Sequence, residues 1–183
     1  MMDNQMVPSQ MIPKKIKLEG DRYQEIKDWL QELLERRFAS CHLEVTADRK
    51  FSNVLKAQID QSRDIIFHFL KETVPDITGF ISSSRGREFI VVEVKAEAIR
   101  LEDIYQLKRY AELFNASYSL LVSASEIPEE IKRLCRIAPH ILSALAGYRQ
   151  IALVSLQLQN GNLSAEWFPN GPFWEKYESK SDN

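Results

Sequence analysis

The residues best placed to do chemistry lie in Phe-Ile-Val-Val-Glu-Val-Lys at 89–95. The two-residue period of a strand puts Val91, Glu93 and Lys95 on one face and Val92 and Val94 on the other. Apolar residues on both faces mark a strand buried on both sides. Glu93 and Lys95 therefore end a core strand, where charge is costly unless paired or metal-bound. The preceding run, Asp-Ile-Thr-Gly-Phe-Ile at 76–81, follows Pro75, and Ser-Ser-Ser-Arg-Gly-Arg at 82–87 reads as the hairpin turn. Antiparallel pairing then carries Asp76 to the Glu93 end of its neighbour. Two carboxylates and an ammonium converge at one edge of a sheet. Hard carboxylate oxygens suit Mg²⁺ or Mn²⁺, and such an ion polarises phosphate and lowers the pKa of bound water. Lys95 is placed to orient that water or to offset charge developing on phosphorus. That set suits metal-dependent phosphodiester hydrolysis.

The bare spacing is weak, because an acidic residue two positions before lysine occurs five times, at 25, 48, 93, 130 and 178. Context discriminates: only the match at 93 closes a valine-rich strand and follows a Pro-Asp strand start. The plain alternative is a Glu93–Lys95 ion pair capping a strand. A second pattern lies eleven residues beyond Lys95, where Gln106 and Tyr110 sit one helical turn apart beside Leu107. Gln-x-x-x-Tyr occurs nowhere else in the chain. Taken alone it is ordinary helix surface; on the next element it can reach the same sheet edge.

Together, Pro75-Asp76, Glu93-Val94-Lys95 and Gln106-x-x-x-Tyr110 resemble the PD-(D/E)XK nuclease superfamily, with the Gln–Tyr element similar to that of RecB-type nucleases. The resemblance covers residues 64–124 and a helix before them. It implies a restriction-endonuclease-like αβββαβ core and a Mg²⁺- or Mn²⁺-dependent deoxyribonuclease working in DNA repair, recombination or restriction. Asp76, Glu93 and the carbonyl of Val94 would be metal ligands and Lys95 the catalytic lysine. Gln106 and Tyr110 would support the site or contact DNA. Many members add a first-helix glutamate, for which Glu25, Glu32 and Glu35 are candidates, and some an upstream histidine, for which His42 is nearest. A non-catalytic nucleic-acid-binding or scaffolding domain on the same fold is the alternative.

These residues need a frame to hold them. Residues 21–38 carry Ile26, Leu30, Leu33, Leu34 and Phe38 on one stripe and read as a helix, with Asp21 as its cap. A short strand at 42–45 and a short helix at 51–59 follow. Branched and aromatic runs at 65–70, 76–81 and 88–94 read as three strands. A helix spans 101–115, with Leu101, Ile104, Leu107, Ala111 and Phe114 on one side. A strand at 118–124 and a helix opened by Pro128 come next, with helix resuming at 140–147. A hairpin of 151–158 and 163–168 turns at Asn160-Gly161-Asn162. The order predicts an α/β fold, a mixed central sheet flanked by helices. Residues 1–18 read as an N-terminal tail, 19–170 as a single domain and 171–183 as a C-terminal tail.

The remaining composition narrows the function classes. The chain has 183 residues, of which 44% are apolar and 27% charged, with 24 basic against 26 acidic side chains. That is ordinary globular protein, without a global basic field. No apolar run reaches the ~18–20 residues of a membrane span. The N-terminus lacks the apolar run of a secretory leader, so a cytoplasmic protein is expected. Cys41 and Cys135 suit neither a disulfide framework nor a zinc site. Walker, dinucleotide, zincin and nucleophile-elbow motifs are absent. Arg85 and Arg87 at the hairpin and Arg109 on the second helix are the candidate phosphate contacts, with DNA as partner. A homodimer is a further expectation, since cutting a duplex takes two cuts. The 151–168 hairpin, with Leu153, Leu156 and Trp167, supplies either that interface or part of the chain's own core.

Overall fold

The computed structural model describes residues 19–84, 86–147, 149–159 and 162–173. The readings placed on residues 1–18, Arg85, Asn160-Gly161 and residues 174–183 lie outside the described residues. Helix α1 (Glu19–Glu35) begins ahead of Asp21, which therefore lies inside the helix instead of capping it. Strands β1 (Ser40–Val45), β2 (Ile77–Ser83) and β3 (Gly86–Lys95) form an antiparallel meander. Helix α4 (Leu101–Phe114) then crosses over so that β4 (Tyr118–Ser123) runs parallel to β3. After α5 (Glu129–Ile137), β6 (Arg149–Gln159) joins β4 in parallel, and β7 (Asn162–Phe168) returns antiparallel on β6. The result is one mixed seven-stranded sheet with helices on both faces, completed by the two-residue β5 (Ser143–Ala144).

The run at 65–70 corrects the expected order of strands. It forms a single helical turn, α3 (Ile66–Phe69), preceded by α2 (Asn53–Lys56). Ile66 and Leu70, four residues apart, enter the core while Ile65 and Phe69 are 57% and 54% exposed. That is helical spacing. The first strand of the meander is instead β1. The helix read at 140–147 is two 3₁₀ turns, Pro139–Leu142 and Leu145–Gly147, with β5 between them.

Two apolar layers sandwich the sheet. On one face Val91, Leu121 and Leu153 meet Leu107, Tyr110 and Phe114 of α4. On the other, Val92, Val94, Leu120 and Val154 meet Leu30 and Leu34 of α1. Each such side chain contributes roughly 1.5–3 kcal/mol when fully buried, which is why β3 can hold charged groups at its end. Leu153 and Leu156 are buried in the chain's own core, and Trp167 lies 6.3 Å from Trp29 of α1. The hairpin thus packs into the chain's own core, with Trp167 half-buried against α1. Phe173, in the span read as tail, stacks on Tyr118 with centroids 4.0 Å apart. No described helix is long and apolar enough to cross a membrane.

Candidate functional site

Register brings the chemistry together. Ile77 pairs with Val92, so one step earlier Asp76 stands at the row of Glu93. The Val94 N–H donates to Asp76 Oδ2 at 2.7 Å. The ladder between β2 and β3 ends at Ile77 and Val92, so this side-chain bond continues the pairing one step beyond it. The Asp76 carbonyl in turn accepts from Thr46 and Ala47 N–H at 2.8 and 3.2 Å.

Glu93 is only 4% exposed. Its Oε1 accepts from Lys95 Nζ at 3.0 Å and Gln106 Nε2 at 2.9 Å. Its Oε2 is buried with no hydrogen-bond partner. Burial first, and the Asp76 carboxylate second, push the Glu93 pKa up to about 7, against the pull of Lys95. Burial alone would lower the Lys95 ammonium, but Glu93 and Asp103 outweigh it and hold its pKa above the ordinary value.

Helix α4 supplies the rest. Gln106 Nε2 also donates to the Tyr110 hydroxyl at 3.0 Å, and Lys95 Nζ lies 3.4 Å from Gln106 Oε1. Tyr110 is buried, and that burial raises its phenol above the usual range. Asp103 was not among the sequence candidates. It bridges Lys95 Nζ at 3.2 Å and accepts the Arg100 N–H at 2.8 Å, capping α4. Its signal was available: 103, 106 and 110 share one helical face.

Other candidates fall elsewhere. Arg87 pairs with Ser82, at the far end of β3 from Lys95, and lies over the Phe80 ring at 5.2 Å. Arg109 donates to Thr73 Oγ1 at 3.2 Å and the Phe69 carbonyl at 3.0 Å, tying α4 to the loop before Asp76. His42 sits opposite Phe80, three positions from Ile77, and bonds Glu44 at 3.2 Å, so it does not join the site. Glu32 pairs with Arg36 and Glu35 accepts from Gln31. Among the described residues, Glu25 of α1 lines a pocket with Val94 and Lys95. A cavity of about 490 Å³ lined by Arg37, Ser83, Glu88 and Tyr118 lies at the opposite sheet end, and among the described residues no orphaned buried atom faces it.

Among the described residues no group of three or more His, Cys, Asp or Glu is arranged to hold a metal ion. Two carboxylates are present. Mg²⁺ asks for no more than one or two, with water and substrate phosphate completing its shell. The orphaned Glu93 Oε2 is the donor such an ion would take. Thiol chemistry is disfavoured: burial pushes Cys41 up to about 12 and raises Cys135 as well. Comparison of the chain with protein-family models, with curated proteins and with solved structures found no match.

Proposed function

We propose that this protein is a Mg²⁺- or Mn²⁺-dependent nuclease that hydrolyses DNA phosphodiester bonds at Asp76, Glu93 and Lys95. The observation that carries the reading is Glu93: a nearly inaccessible carboxylate with one oxygen unpartnered and a second carboxylate close by. A divalent ion held by Asp76 and Glu93 supplies charge for the phosphate and a lower pKa for water. Lys95 and Gln106 hold Glu93 Oε1, which fixes the direction of Oε2. Tyr110 backs the Gln106 amide, and Asp103 gives the Lys95 ammonium a second carboxylate partner. The Lys95 ammonium is placed to offset charge developing on the phosphate oxygens.

A second reading, a non-catalytic nucleic-acid-binding domain, draws on the Glu93–Lys95–Asp103 bridge, which closes without a metal. Incubation with single-stranded, branched and duplex DNA in Mn²⁺ separates the two. The nuclease reading expects cleavage that Asp76→Asn and Glu93→Gln reduce by roughly 100-fold or more, since even outer-shell changes at metal sites cost about 10–100-fold. DNA binding without cleavage, indifferent to Mn²⁺, would give the second reading instead.

A further inference from the structure

Arg22, in the first turn of α1, carries another orphaned atom at this sheet end. Its Nη1 is buried with no hydrogen-bond partner. It lines a pocket with Glu25, Val94, Lys95, Ser123 and Leu156. The Ser123 hydroxyl is committed elsewhere, donating to the Glu97 carbonyl at 2.7 Å and accepting from Ser125 N–H at 2.9 Å. Glu25 is exposed. A guanidinium cannot shed its charge, and a buried donor without an acceptor costs its full desolvation. The pocket wall at Val94 and Leu156 offers no acceptor side chain. What Arg22 lacks is a planar or tetrahedral oxyanion, the partner that a guanidinium fork fits best.

Position says which oxyanion. Lys95 is common to this pocket and to the cluster of Glu93, Asp103 and Gln106. Val94 likewise lines the pocket through one face of β3 while its N–H meets Asp76. The pocket and the carboxylate pair are therefore two sides of one strand end. We propose that Arg22 binds a backbone phosphate of the DNA strand, flanking the phosphate that Lys95 receives. This rests on the nuclease reading and adds a strand-binding residue to it.

The test measures binding of a fluorescein-labelled oligo-dT strand by anisotropy in chelator, from 50 to 300 mM salt. Arg22→Met keeps the aliphatic stem and removes the charge, and Arg22→Lys keeps charge without the fork. Removing one phosphate contact from a single strand reduces the slope of log affinity against log salt by about 0.7. Arg22→Met is expected to show that reduction, with Arg22→Lys between it and the parent chain. An unchanged slope and affinity in Arg22→Met overturns the proposal, and so does a parent chain that binds no strand. Inorganic phosphate at 10 mM, with ionic strength held, is the second arm. If it raises the Tm of the parent chain but not of Arg22→Met while the two bind the strand with the same slope and affinity, a free phosphate fills the pocket and the assignment to the strand fails. Cleavage of the same oligonucleotide in Mn²⁺ is scored separately. Cutting with an unaltered Arg22→Met slope sinks this inference alone, and an Arg22-dependent slope without cutting sinks only the nuclease reading.

Discussion

Glu93 is the residue whose cost is most measurable. With its folded pKa raised from 4.5 to about 7, the native state holds the proton more tightly than the unfolded chain does. The stability from that proton is complete below about 4.5 and is lost as pH rises through about 7. In chelator, unfolding free energy should fall by roughly 3–4 kcal/mol at most across that window, at about 1.4 kcal/mol per pKa unit. Glu93→Gln should flatten the profile, which denaturant unfolding at several pH values checks. The variant leaves Lys95 with Asp103 as partner, so no large loss follows from the broken pair. At this scale the sequence was informative where periodicity decides direction. Strand period aimed Glu93 and Lys95, and helical spacing aimed Gln106 and Tyr110. The 103–106–110 spacing put Asp103 on the face of Gln106, but its reach to Lys95 depends on how the N-terminus of α4 lies over the end of β3. His42 failed for the opposite reason: its residue type fitted, but the β1 register put it opposite Phe80.

Among elements, the β1–β2 contact is the least forgiving. A Cβ built on Gly79 would lie 2.0 Å from the His42 carbonyl oxygen and 2.6 Å from a Leu43 methyl. The obstacle is backbone, so neither strand can yield without separating. Gly79→Ala should cost about 3 kcal/mol, the upper range for overpacking. That corresponds to a drop of roughly 6–12 °C in Tm for a chain of this size. Thermal unfolding of the variant reads it directly. β3 and α4 were legible because each carries a long unbroken pattern, valines on both faces in one and a clean apolar stripe in the other. The 65–70 run was not, because a short branched and aromatic segment fits strand or helix equally by period. Only the tertiary setting, with Ile66 and Leu70 inside and Ile65 and Phe69 outside, separates them.

Across the whole molecule β3 is the hinge of the architecture, antiparallel to β2 and parallel to β4. At Ile90, Val91 and Val92 the side chains are fully buried and both edges of the strand are paired, so these amides have no route to water short of global opening. Native-state hydrogen exchange should find Val91, Val92 and Val94 among the slowest amides, with those of β7 faster. The mixed sheet could be foreseen from the alternation of hairpin and helical crossover. Its full width could not, since β1 was read as an isolated strand and β5 is two residues long. The double duty of Asp76 reaches beyond this one chain. Its carbonyl receives β1 while its carboxylate receives β3, so it fastens three strands whether or not a metal is ever bound. In a lineage that abandoned catalysis, selection for folding alone would retain an acceptor at position 76. It would release Glu93, whose burial is a burden once its chemistry is gone. On the proposed nuclease reading, position 93 would then be free to lose its charge altogether, while position 76 would keep a hydrogen-bond acceptor even where Asn replaces Asp and cleavage is gone.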